Sequence, residues 1–322
     1  MSYTEALRTC LAGEMRRDKS VFLFGEDIGV YGGAFGVTRG LLEKFGPERV
    51  IDTPISEGSF VGAAVGAALA GSRPVVEIMF MDFITLAADQ LVNQAAKLRY
   101  VFGEQARCPL VLRTPAGGGR CYGPTHSQDL TAWFVHAPGL HVAAPSTPAD
   151  AMGLLKTAIR SDSPVIFVEH KMLYNEKGPV SPRARPVPFG KARVARKGTD
   201  VTVIAWSWMA LEAELAADHL EADGISVELI DLRTLSPMDT DTVIASVKKT
   251  GRVLIVEEGP RTAGVGAEIG ARVFEQAFDY LDAPLTRLAS PNVPVPTSPT
   301  LERAMIPNRE SITSAILKIL ED

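Results

Sequence analysis

The sequence predicts an α/β fold built from two parallel-sheet-based α/β domains, and three observations carry that expectation. Short apolar runs alternate with helical segments through the first half of the chain, the pattern stops near residue 171 in a stretch rich in Pro and basic residues, and a second alternating series begins at residue 201. Strands that alternate with helices point to a mainly parallel sheet covered on both faces. A length of 322 residues suits roughly two such domains, each large enough for its own core.

The elements follow in order. Ser2 and Glu5 fit a capping box, and Ala6, Leu7, Cys10, Leu11 and Met15 form an apolar stripe, so a first helix is expected to about Arg17. Residues 21–24, 74–80, 109–112, 141–143 and 164–168 read as buried strands. Helices are expected over 58–70, 83–102 and 149–160, the last with Thr147 as its cap and Pro148 in its first turn. Pro179, Pro182, Pro186 and Pro188 then fall among basic residues, which suits an exposed linker. The second series has strands over 201–205, 226–230 and 252–256, with helices over 209–221, 240–249, 267–278 and 301–320, and residues 291–299 form a further Pro-rich connection. The expected boundaries are 1–175 for the first domain, 176–199 for the linker and 200–322 for the second domain.

Composition narrows the function. The net charge of −5 comes from 38 acidic and 33 basic residues without long blocks, which argues against a nucleic-acid partner. Cys10, Cys108 and Cys121 lie far apart, with no metal-like spacing, and suit a reducing cytoplasm. No signal-peptide pattern is visible, and the longest low-polarity run, residues 61–70, is shorter than the roughly 20 residues that a membrane span needs. A cytoplasmic protein that does not enter a membrane is expected.

Glu57 is the most informative residue. It heads an uncharged run of Gly and Ala that lasts until Arg73, and a carboxylate buried there needs a partner or a proton. It is either a first-turn acid favoured by the helix dipole or an acid/base group. Gly58, Gly62 and Gly66 share one face of the same helix. Each glycine costs about 1 kcal/mol against Ala, so a close crossing is expected, within the domain or against another subunit. His126 lies in a loop without hydrophobic periodicity, residues 113–129, that follows a strand, where open α/β sheets place ligands. It is a surface histidine or a proton-transfer group. His136, His141, His170 and His219 have no companion pattern for a metal, and Phe80 and Phe83 read as core aromatics. Gly264, Gly266 and Gly270 form a weak GxGxxxG echo of a dinucleotide fingerprint, set too far beyond its strand.

Several motifs together resemble the beta subunit of the thiamine-diphosphate-dependent decarboxylase component of 2-oxo acid dehydrogenase complexes (pyruvate, branched-chain or acetoin type). They are Gly25-Glu26-Asp27-Ile28-Gly29 with Tyr31-Gly32-Gly33, Asp52 to Glu57, Ala87-Ala88-Asp89-Gln90 with Asn93 to Lys97, His126-Ser127-Gln128, Ala144 to Thr147, Asp231 to Thr234 with Pro237-Met238-Asp239, and Gly264 to Glu268. The likeness runs nearly end to end. It implies a thiamine diphosphate pyrimidine-binding domain followed by a transketolase-like C-terminal domain. It also implies that Glu57 shares a proton with the aminopyrimidine ring, so that the cofactor can be activated for decarboxylation. By the same resemblance Phe83 stacks on that ring, Ile55 and Met79 lie near it, and His126 assists proton transfer or acyl delivery to lipoamide.

The diphosphate half of the site is missing from the chain. The Gly-Asp-Gly segment and later Asn of related proteins have no counterpart, the nearest string being Ala222-Asp223-Gly224. The resemblance therefore implies that an alpha subunit holds the diphosphate and Mg²⁺ in an α2β2 heterotetramer, with the Gly58, Gly62 and Gly66 helix at the subunit contact. A lipoyl acyltransferase core is the implied further partner. Some relatives bind K⁺ through backbone oxygens, and Leu110, Ala158, Ile159, Ser161 and Ser163 correspond, although Ser161 replaces an acidic residue there. The implied reaction is oxidative decarboxylation of pyruvate, or of a branched-chain 2-oxo acid, with reductive acylation of a lipoyl domain. Acetoin cleavage, a split transketolase or acyloin synthase, and a non-catalytic docking subunit are the alternatives.

Overall fold

The computed structural model describes residues 1–181 and 184–321, so Pro182 of the expected linker lies outside the described residues. The chain divides into two compact units, 1–116 with 133–189 and 117–132 with 190–322.

The first unit opens with α1 (Tyr3–Arg17), whose Ser2 and Glu5 form the expected capping box. β1 (Val21–Gly25), α2 (Leu41–Phe45), β2 (Val50–Asp52), α3 (Glu57–Leu69) and β3 (Arg73–Glu77) follow. The expected helix over 83–102 is a 3-10 stretch (Met81–Ala87), a π stretch (Gln90–Ala95) and only then α4 (Ala96–Val101). β4 (Val111–Ala116), α5 (Thr131–Val135), β5 (His141–Ala143), α6 (Pro148–Arg160) and β6 (Val165–His170) complete the series. Six strands of this unit lie in the order β5-β6-β4-β3-β1-β2, and every neighbouring pair is parallel.

Parallel pairing buries both faces of these strands, which is why they read as continuous apolar runs. α1 packs on α6, with Tyr3, Leu7 and Leu11 fully buried. Glu14 closes that contact, accepting from Arg160 Nε at 2.9 Å and Nη2 at 2.7 Å, and from Arg17 Nε at 2.9 Å.

A buried ion network crosses the sheet. Arg113 donates to Glu77 Oε2 at 2.7 Å and to both oxygens of Glu169, at 2.7 and 2.9 Å, while the Tyr174 hydroxyl donates to Glu169 at 2.7 Å. Burial opposes the charge on Arg113, but Glu169 and Glu77 outweigh it and hold the guanidinium charged. Burial dominates at Glu169 and pushes its carboxyl up. Phe35 stacks on Tyr174 at 4.8 Å, which ties the loop after β1 to the network.

The second unit contains β7 (Arg193–Arg196), β8 (Val201–Ala205), α7 (Ser207–Glu221), β9 (Val227–Asp231), β10 (Thr234–Ser236), α8 (Thr240–Thr250), β11 (Val253–Pro260), α9 (Val265–Ala277), β12 (Thr286–Ser290), α10 (Pro299–Met305) and α11 (Arg309–Glu321). Its sheet order is β12-β11-β8-β9-β7, parallel except for β7 against β9. Thus part of the stretch expected as linker pairs as an edge strand. The single helix expected over 301–320 is two, because Pro307 cannot continue the first and Asn308 restarts the second, its Oδ1 accepting from Ser311 N–H at 3.1 Å. Ile312, Ile316 and Ile319 of α11 pack into one core with Ala213, Ala216 and Ala217 of α7.

Two outcomes follow from this packing. Burial raises the Glu14 pKa, but its bonds to Arg160 and Arg17 prevail and hold the carboxyl below its usual range. A depressed folded pKa stabilises above the unfolded value and loses that contribution as pH falls through the folded one. The gap in Tm between the protein and its Glu14→Gln variant should therefore be wide near neutrality and close in acid, as thermal melts across pH would show. Replacing Arg113 with Met strands Glu77 and Glu169, and urea unfolding should register a loss of about 3–5 kcal/mol.

Candidate functional site

Two carboxylates near enough to interact electrostatically lie beyond the carboxyl ends of β1 and β2. Glu26 follows β1 directly, and Glu57 is the first residue of α3, five positions past β2. The loops are tied together, since Gly29 N–H donates to Asp52 Oδ1 at 2.7 Å. Both acids are buried, Glu26 at 8% exposure and Glu57 at 5%. Burial pushes the Glu26 carboxyl up, the charge of nearby Glu57 pushes it further, and a backbone N–H from Ser56 only partly opposes them. Glu26 Oε1 is buried with no hydrogen-bond partner among the described residues.

A buried acid pair with an orphaned oxygen has unused capacity for a donor. Sequence reading singled out Glu57 but gave Glu26 no role. The signal was there, in the Gly25 to Gly29 motif, but the parallel pairing of β1 with β2, which sets Gly25 beside Asp52, is not a local feature of the sequence.

The other first-unit candidates lie close in sequence to these elements. Phe83 is half-buried in the 3-10 stretch, edge-on to Phe80 at 6.0 Å. Met79 is half-buried just past β3, and Ile55 is 84% exposed between β2 and α3. On α3, a Cβ at Gly58 would stand 3.0 Å from Leu86 O, and one at Gly62 would touch Gln90 at 3.4 Å, whereas Gly66 faces open space. The first two glycines thus serve packing inside the unit.

His126 belongs to the second unit, in the excursion 117–132. Its Nδ1 lies 3.1 Å from Thr125 Oγ1, and its N–H donates to Gly123 O at 3.3 Å. Two buried acids, neither singled out from sequence, hold the start of this excursion. Glu258, at the end of β11, accepts from Gly118 N–H at 2.5 Å, and Glu302, in α10, accepts from Cys121 N–H at 2.9 Å. A Cβ at Gly118 would stand 2.5 Å from Ile306 Cδ1 and 3.0 Å from Glu302 Oε1, so a larger residue would have to displace those side chains. The same excursion lines a cavity of about 500 Å³ with Asp129, Glu258, Asn292 and Val293.

The dinucleotide echo is filled from within. Gly266 N–H, at the start of α9, donates to Glu257 Oε2 at 3.0 Å, and Arg287 pairs with Glu257 at 2.8 Å. A helix N-terminus already holding a carboxylate has no room for a phosphate. Among the described residues, no three or more His, Cys, Asp or Glu side chains are grouped to hold a metal ion, and no helix is long and apolar enough to cross a membrane.

Known proteins resemble the chain throughout. The transketolase pyrimidine-binding domain family matches residues 1–177, and the transketolase C-terminal domain family matches 190–312. The pyruvate dehydrogenase E1 component subunit beta of Rickettsia felis is 49% identical over 98% of this chain and 97% of its own. The acetoin:2,6-dichlorophenolindophenol oxidoreductase subunit beta of Cupriavidus necator is 45% identical over 100% of this chain and 98% of its own. A solved split-gene transketolase, an inactive beta4 tetramer, shares the fold with a TM-score of 0.82 at 22% identity, covering 100% of this chain and 98% of that one. Likeness at this level over both domains means that the chain belongs to the thiamine-diphosphate-dependent family of E1 beta subunits, which includes those of pyruvate dehydrogenase.

Proposed function

We propose that the chain supplies the pyrimidine half of a thiamine diphosphate site for oxidative decarboxylation of a 2-oxo acid, with pyruvate as substrate and a branched-chain acid as the second choice. The observation that carries this reading is the buried Glu57 at the head of α3 beside Glu26, whose Oε1 lacks a donor. Such a pair suits a protonatable ring nitrogen. When bound, the cofactor supplies the electron sink for loss of carbon dioxide. Glu57 would hold the proton shared with the ring, Glu26 would tune the charge beside it, and Phe83, Met79 and Ile55 would line the ring's position.

His126 would steer protons or the acyl group toward a lipoyl domain of the acyltransferase core. An alpha subunit would hold the diphosphate and Mg²⁺ in an α2β2 assembly. Gly66 faces open space and Leu69, Leu86 and Tyr100 are exposed, apolar surface of the kind that subunit contacts bury. A cytoplasmic location fits its three free thiols. Acetoin cleavage is the second reading, favoured by the 45% identity to the Cupriavidus necator subunit.

Glu57→Gln, reconstituted with its alpha subunit, should lower 2-oxo acid turnover by roughly 10²–10⁴-fold, the range for a general acid/base group. Full turnover in a steady-state assay would remove Glu57 from the chemistry. For His126→Ala, reduction of an artificial electron acceptor should persist while acylation of a lipoyl domain is lost. Mass spectrometry of that domain measures the second half directly.

A further inference from the structure

The oxygens that the family resemblance assigns to K⁺ already carry donors in this chain. Leu110 O accepts from Val165 N–H at 2.8 Å, and Ala158 O accepts from Ser161 N–H at 3.1 Å. Ser163 O accepts from the Ser161 hydroxyl at 3.2 Å. The remaining two converge on a single nitrogen, Arg73 Nη1, which donates to Ile159 O at 3.0 Å and to Ser161 O at 2.8 Å. The same guanidinium gives Nη2 to Asp162 Oδ1 at 2.6 Å, while Arg107 takes Asp162 Oδ2 at 2.8 Å.

The location explains the reach. Arg73 is the first residue of β3, and the two oxygens belong to the last turn and the C-cap of α6. Carbonyls left open at a helix C-terminus attract a cation. A planar fork of N–H groups serves two carbonyls and a carboxylate at once, which an ammonium could not do with the same geometry.

K⁺ binds to carbonyl oxygens by exchanging its hydration shell for them. Here the guanidinium stands in front of Ile159 O and Ser161 O, and a second cation on those oxygens would lie a few ångströms from a group that never gives up its charge. The acids paired with Arg73 are themselves already engaged. Asp162 is divided between Arg73 and Arg107, the nearby Asp18 is 3.9 Å from Arg73 Nε, and position 161 is Ser. The residues present do not fit a bound monovalent cation.

We infer that Arg73 replaces the cation, so that the C-terminal turn of α6 is neutralised from within the chain and the protein is independent of K⁺. The test uses the full-length chain in the complex in which it purifies, with thermal melts in KCl, NaCl and choline chloride at equal ionic strength. Equal Tm values in all three salts are expected, and elemental analysis after dialysis into choline chloride should find no stoichiometric potassium. A K⁺-selective rise in Tm, or one retained potassium per chain, would overturn the inference. Arg73→Gln should melt several degrees lower in choline chloride and recover selectively with K⁺ or with low guanidinium. An Arg73→Gln protein that melts like the parent in choline chloride would also sink it. Should that variant not fold, the salt series and the potassium content of the parent protein still decide.

Discussion

The pairing of one buried guanidinium with two carboxylates underlies the first unit. Arg113, Glu77 and Glu169 come from β4, β3 and β6, three adjacent strands, and Tyr174 joins them from the segment after β6. Ions cost several kcal/mol each to bury, and only complete pairing makes the arrangement tolerable. The network therefore constrains where those strands can end. Glu77 Oε1 also lies 3.0 Å from where a Cβ of Gly33 would be, so the loop that begins with Glu26 rests on the same ions.

The acid pair Glu26 and Glu57 stands on that support. A lone buried carboxylate at an apolar helix start would take a proton or find a donor. The charge of Glu57 makes that demand stronger at Glu26. The fold meets the demand at Glu257 with internal donors to both oxygens, from Gly266 N–H and Arg287, but leaves Glu26 Oε1 without one.

Much of this was legible in the residues. The alternation of apolar runs located every central strand, and the S-x-x-E start, Thr147 and Pro148 located two helices, because periodicity and capping are local physics. β12 escaped because its residues are mostly half-buried and short in apolar content, and β7 because an edge strand needs little hydrophobicity. The break at Pro307 is written in the sequence, but the apolar periodicity that continues on either side of it masks the interruption. Glu57 stood out by composition. Glu26, Glu258 and Glu302 did not, because their roles depend on which loop returns to which strand end. The engagement of Arg73 with the α6 carbonyls joins residues 86 and 88 positions apart, beyond any local signal.

The excursion 117–132 is inserted between two segments of the first unit yet belongs to the second, where Glu258 and Glu302 grip its backbone. The chain accordingly passes from one unit to the other three times. A gene cut at the Pro-rich connection would separate the His126 loop from the acids that shape it, so these two domains cannot be shuffled as independent modules. Inheritance of the first domain with a foreign second one would preserve Glu26 and Glu57 and lose the conformation of the histidine loop.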